Sequence, residues 1–175
     1  MTDQAAAPNQ SVDEVLYDVN GHIAIITLNA PDRMNTISGP MLDRLTELLL
    51  EADTDTNIRC IILTGNGRAF CAGLDLGAQT SGKGLGGSGS FSPSNLDLRS
   101  IPPTVLHKLD TPTIAAINGG AAGYGMDTAL GCDMSIMADT AKMAARVMAL
   151  LFRQCSRKGW YTRIIAFSKP LDTRI

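Results

Sequence analysis

A chain of 175 residues with 45% hydrophobic and 18% charged residues can bury a substantial core as one domain and is not a disordered polymer. Its formal charge of −2 is uneven: residues 1–150 carry 9 Lys/Arg against 16 Asp/Glu, and residues 151–175 carry 6 against 1. The acidic body argues against nucleic-acid binding, which needs phosphates neutralised, and no apolar run is long enough for a membrane helix. Cys60, Cys71, Cys132 and Cys155 lack C-x-x-C or zinc-like spacing, so no metal is expected and the expected compartment is the reducing cytoplasm.

In chain order, residues 1–12 read as a disordered leader without the basic and apolar parts of a secretory signal. Glu14 to Val19 and His22 to Leu28 are strand-like runs joined at Asn20-Gly21, a strong hairpin signal, with His22 as a surface strand residue. Pro31-Asp32-Arg33-Met34-Asn35 is a turn. Ser38 then caps a helix that has Pro40 in its first turn and a core stripe of Met41, Leu45, Leu48, Leu49 and Ala52. Arg59 to Thr64 is a buried strand, and Ala69 to Leu76 follows, its Gly73 allowing a ligand or another backbone to come close. Residues 77–94 are Gly- and Ser-rich and read as a mobile loop, since they lack the order of a phosphate loop. Leu96 to Leu109 reads as partly helical with an interruption at Pro102-Pro103, Asp133 to Ala138 as a strand, and Thr140 to Leu150 as an Ala- and Met-rich helix.

The most informative stretch runs from Thr113 to Asp127. Thr113 to Ile117 is a short buried strand, Asn118-Gly119-Gly120 turns the chain, and a helix starts near Gly123 and ends near Gly131. Unpaired N–H groups in the first turn of such a helix favour negative charge, whether a phosphate or an oxyanion formed during reaction. Asp127 lies one turn inside, within reach of whatever the turn holds. Strand–loop–helix units starting near Arg59 and Thr113 point to an α/β fold, and two glycine-containing turns side by side can offer two amides to one oxygen.

With these motifs in order, the sequence resembles the enoyl-CoA hydratase/isomerase, or crotonase, family from about Val15 to Met148. The resemblance rests on I-T-L-N-A-P (Ile26 to Pro31), Asn35 and the helix after it, and I-L-T-G-N-G-R-A-F-C-A-G-L-D-L (Ile62 to Leu76). It continues through P-T-I-A-A-I-N-G-G-A-A-G-Y-G-M-D (Pro112 to Asp127) and C-D-M-S-I-M-A-D-T-A-K-M (Cys132 to Met143). It implies a crotonase-like spiral of β-β-α repeats over residues 13–150 that binds acyl-CoA, followed by a divergent basic tail, 151–175, with the C-terminal helical part largely missing. The implied oxyanion hole is the Ala72 and Tyr124 N–H groups, with Tyr124 where the family usually has glycine. Ala72-Gly73-Leu74-Asp75 would line the CoA and acyl channel, Arg33 would meet the CoA end, and Asp127 takes the place of a catalytic glutamate. Coenzyme A is then part of the substrate, no further cofactor is needed, and a homotrimer or hexamer is the family's assembly.

Some residues depart from that pattern. Gap-free alignment puts Val147 where hydratases carry a second glutamate, and the pattern stops after Leu150, with an echo at Arg163 to Asp172. The expectation is a truncated or locally frame-disrupted member, with hydration of a 2-enoyl-CoA as the first function and single-acid double-bond isomerisation as the alternative. Two other readings compete: a catalytically silent acyl-CoA binder or fragment, and a dinucleotide-binding half-domain. The glycines at 119, 120, 123 and 125 do not fit G-x-G-x-x-G as the last of these would require.

Overall fold

The computed structural model describes residues 14–75 and 102–144, together with the backbone of one further strand, Arg163–Phe167. Strands β1 (Val15–Asn20) and β2 (Ile23–Leu28) form the expected antiparallel hairpin, with Asn20 opposite Ile23 and Gly21 at φ +62. His22 lies in the turn itself, exposed, its Nδ1 2.8 Å from the Asn57 carbonyl. Every second residue of β2 (Ala24, Ile26 and Leu28) is fully buried, the period-2 pattern of a strand with one face on the core.

A 3-10 turn, Pro31–Arg33, leads to helix α1 (Gly39–Thr54). Ser38 caps α1, its hydroxyl accepting from Met41 N–H at 3.3 Å, and Pro40 occupies the first turn, where no N–H is missed. The predicted stripe of Met41, Leu45, Leu48, Leu49 and Ala52 is buried, with Leu42 added at 7% exposure. Next come β3 (Cys60–Gly65), β4 (Ala69–Cys71), α2 (Pro102–Leu106), β5 (Thr113–Ile117), β6 (Gly120–Ala122), α3 (Tyr124–Gly131), β7 (Met134–Ala138), β8 (Met143–Ala144) and β9 (Arg163–Phe167).

The sheets show how these repeats stack. One sheet has the order β1-β2-β3-β5-β7-β9, parallel except for β1, and a smaller parallel sheet has the order β4-β6-β8. Each of the pairs β3/β4, β5/β6 and β7/β8 places its first strand in the large sheet and its second in the small one, so the chain climbs as a spiral. The backbone of β9 continues the large sheet beside β7, with Met134 opposite Arg163 and Ala138 opposite Phe167, which gives the C-terminal sequence echo a strand of its own.

Two expectations need correction. Thr140 to Ala144 is not helical: a turn leads into β8, whose neighbourhood takes up the Ala121 N–H (to Lys142 O, 2.9 Å) and the Gly123 N–H (to Ala144 O, 3.1 Å). Pairing with an open strand edge overrides the helix propensity of Ala and Met, which is worth only tenths of a kcal/mol per residue. The expected helix over Leu96 to Leu109 is described only from Pro102, where Pro102-Pro103 are the first described residues of α2; residues 96–101 lie outside the described residues. Gly120 belongs to a short strand, not to the turn, so a strand separates the Asn118-Gly119 turn from α3. The proposed leader, the Gly/Ser-rich loop and residues 145–150 lie outside the described residues.

Candidate active site

The site is built where the two glycine-bearing reversals meet. Strands β4 and β6 run parallel, with Ala69 opposite Gly120 and Cys71 opposite Ala121, so the chain leaving Cys71 travels beside the chain entering α3. Two glycines permit the approach. A side chain at Gly125 would run into the carbonyl of Cys71, and one at Gly73 would meet Ala122 O at 3.3 Å from a backbone already at φ +113.

The amide inventory changes one assignment. The Ala72 N–H, implied as an oxyanion donor, donates to Met34 O at 3.0 Å. Around it, Ile37 N–H donates to Gly73 O (2.8 Å) and Asp75 N–H to Ile37 O (2.9 Å), so Ile37 bridges both sides of Leu74. That geometry leaves the Leu74 N–H pointing away from Ile37 and without a hydrogen bond among the described residues. Ala72 is therefore a structural donor, and Leu74, expected only to line the channel, carries the available amide. Sequence alone offered no signal for this, because the bond that consumes Ala72 comes from a turn 38 positions earlier.

On the other side, α3 opens at Gly123, whose φ of +51 turns the chain into the helix without a side-chain cap. Asp127 N–H closes the first helical bond to Gly123 O at 3.0 Å, and the Tyr124 N–H has no acceptor among the described residues. The Tyr124 amide thus lies at the positive end of a helix dipole.

Asp127 is buried, with 7% exposure, and its Oδ2 has no hydrogen-bond partner among the described residues. Burial raises its carboxyl above the ordinary range because water no longer stabilises the charged form. Tyr124 is equally buried, its Oη likewise without a partner among the described residues, and burial raises its phenol well above normal, helped by Cys71 and Asp127 nearby. The Cys71 thiol is pushed up to about 11 by burial and so is no nucleophile at neutral pH.

Arg33 has a different setting from the one implied. Its Nη1 and Nη2 grip Glu14 at 2.9 and 2.8 Å, and its Nε donates to Thr36 O at 3.2 Å and lies 3.5 Å from Asp75 Oδ2. Hydrogen bonding to Arg33 holds the Glu14 carboxyl below its usual range. Arg33 and Asp75 thus brace the reversal that carries Leu74. Asn35, noted in the sequence only as part of a motif, proves central: it is fully buried at φ +54, accepts from Ala30 N–H (2.8 Å), and donates to Asn66 O (2.9 Å) and Ala69 O (2.8 Å). The tolerance of asparagine for left-handed backbone, in a turn after proline, was the signal available.

Val147 lies outside the described residues. Among the described residues, no three His, Cys, Asp or Glu side chains converge as a metal site requires, and no helix is long and apolar enough to cross a membrane.

Comparison with known proteins agrees with this architecture. The pattern of one family, described as enoyl-CoA hydratase/isomerase, matches residues 18–170. The Bacillus subtilis protein YngF is 42% identical over 131 residues, which is 74% of this chain and 48% of that protein. The 1,2-epoxyphenylacetyl-CoA isomerase of Escherichia coli is 39% identical over 131 residues, covering 73% and 48%. A crystal structure of an enoyl-CoA hydratase from Bacillus anthracis superposes with a TM-score of 0.64 at 32% identity, over 75% of this chain and 50% of that one. The chain spans about half the length of the relatives it matches.

Proposed function

This chain belongs to the enoyl-CoA hydratase/isomerase family, and from that premise we propose that it acts on acyl-CoA thioesters, adding water to a 2-enoyl-CoA. The observation that carries the reading is the buried Asp127 carboxyl, its Oδ2 without a partner among the described residues, one helical turn from a Tyr124 amide that has no acceptor among them. Negative charge develops on the thioester oxygen as a nucleophile adds to the β carbon. The amides of Tyr124 and Leu74 stabilise that oxygen, preorganised and without reorientation. Asp127 takes the proton of the added water and returns it to the α carbon, and a carboxyl pKa raised by burial suits it to both steps.

Amide-to-ester replacement tests the assignment of donors. Exchanging the Leu74 N–H for an ester oxygen is expected to lower kcat by about 10²–10³-fold with the melting temperature unchanged, because that N–H has no acceptor among the described residues. The same exchange at Ala72 is expected to lower the melting temperature, because it cuts the bond to Met34 O. The opposite pattern returns Ala72 to the oxyanion hole.

At the CoA end, Arg33 is one-third exposed, and a phosphate there competes with Glu14 and Asp75 for it. Arg33→Met is expected to raise KM for the thioester more than it lowers kcat. An unchanged KM separates Arg33 from CoA.

A second reading is double-bond isomerisation. The described site offers one acid, Asp127, which suffices to carry a proton between two carbons, and one matched relative is named an isomerase. Following a short enoyl-CoA for both water addition and double-bond migration decides between the two. If neither occurs while CoA esters still bind, the chain is a binder. The family assembles as trimers or hexamers, and a trimer by sedimentation would place this chain with it.

A further inference from the structure

We propose that Tyr124 Oη and Asp127 Oδ2 together hold one hydroxyl-type oxygen at the acyl β carbon: the hydroxyl of a 3-hydroxyacyl-CoA, or the water that becomes it. The inference rests on the acyl-CoA reading and extends it to a residue that the oxyanion hole uses only through its backbone.

Tyr124 and Asp127 lie three residues apart on the first turn of α3, so their side chains leave on one face of the helix. Each is 7% exposed, and Oη and Oδ2 are the two buried side-chain polar atoms without a partner among the described residues. Native interiors pair the large majority of such atoms, and two left unpaired on one helical turn call for an explanation, which a bound polar group supplies. Neither is satisfied by Cys71, whose Sγ is directed to Gly73 O at 3.7 Å.

The chemistry of the two atoms selects the ligand. A phenol donates one proton and a carboxylate only accepts. A carbonyl oxygen would satisfy Tyr124 and leave Asp127 empty, whereas an ammonium would leave the phenol's proton unused. A hydroxyl or a water accepts from Tyr124 and donates to Asp127, completing both. Burial keeps the phenol protonated across neutral pH, so it stays a donor.

For hydration, the water oxygen so held forms its bond to the β carbon as the π pair moves through the α carbon to the thioester oxygen. The water's proton passes to the Asp127 carboxylate, which then delivers it to the α carbon as the carbonyl reforms. Water is added, Asp127 is regenerated, and Tyr124 keeps its proton throughout. The phenol thus takes the water-holding share of the work, which in two-acid relatives falls to a second carboxylate.

Tyr124→Phe tests this, since it keeps the backbone N–H and the ring and deletes Oη. The full-length chain and the variant are titrated calorimetrically with butyryl-CoA and with 3-hydroxybutyryl-CoA. The expected result is that the parent prefers the hydroxy ester by about tenfold and the variant loses that preference, with butyryl-CoA affinity unchanged. Turnover of enoyl-CoA should fall by about tenfold or more with KM little altered, and urea unfolding should be unchanged or shifted upward, because an unpartnered hydroxyl has been removed. A variant that keeps the hydroxy preference and the parent kcat overturns the pairing and leaves the acyl-CoA reading intact. If neither ester binds either protein, both fall.

Discussion

Asp127→Asn is expected to lower enoyl-CoA turnover by about 10²–10⁴-fold, the span that general acid–base groups contribute, while making the chain harder to unfold at neutral pH. The two effects share one cause. Asp127 sits where water cannot reach Oδ2, and burial raises its carboxyl pKa above the ordinary 3.8. In the unfolded chain the same group titrates at its ordinary value. Between the two pKa values the folded chain binds more protons than the unfolded one, so stability falls as pH rises through that interval and stays lower above it. Asparagine is almost the same shape and does not titrate. The stability gap in favour of Asp127→Asn should therefore be larger at about pH 8 than at about pH 4, read from urea midpoints at each pH. Undiminished turnover in the variant would remove Asp127 from the chemistry. A gap that shrinks on going from acid to neutral would mean that its carboxylate is held by a partner and not merely buried.

The second large effect belongs to a residue that touches no substrate. Asn35→Ala is expected to cost about 3–5 kcal/mol of folding stability, a large share of the roughly 5–15 kcal/mol a domain possesses. The Asn35 amide fixes three strands of backbone at once: Ala30 after β2, Asn66 after β3, and Ala69 at the start of β4. Alanine leaves those groups unpaired and holds φ +54 less readily than asparagine. The consequence reaches the site, because Met34 O, next to Asn35, is the acceptor that fixes the Ala72 N–H, two residues from the Leu74 amide. Activity should therefore be lost on heating before the global melt. Asn35→Asp supplies the control: its carboxylate cannot donate to Asn66 O or Ala69 O, so it should be destabilising at neutral pH and partly recover in acid, where one donor returns. An Ala variant within about 0.5 kcal/mol of the parent would show that the clamp is redundant.

The readings that held and those that failed divide along a physical line. The β1–β2 hairpin, the Ser38 cap, the core stripe of α1 and the placement of α3 all come from interactions within a few residues. A turn dipeptide, a cap hydroxyl or a helical stripe therefore reveals them directly. The family resemblance worked for a related reason: several of its motifs hold glycines where the packed backbone leaves no room for a side chain, as Gly125 against Cys71 shows. Where two distant segments compete for the same group, local signals fail. Met143–Ala144 became a strand because the edge of β6 was open to it.

The sequence alone established the order of strands and turns, an acid one turn inside a helix, and the family to which these belong, because those features are written in residue type and spacing. Only the tertiary structure decided which amide is free. Ala72 and Leu74 are indistinguishable as letters, and the difference between them is a hydrogen bond to Met34 that exists only when the turn before α1 lies against the chain leaving β4. The same holds for the empty hydrogen-bonding capacity of Tyr124 and Asp127: burial is a property of what packs around a side chain, and no window of sequence contains it.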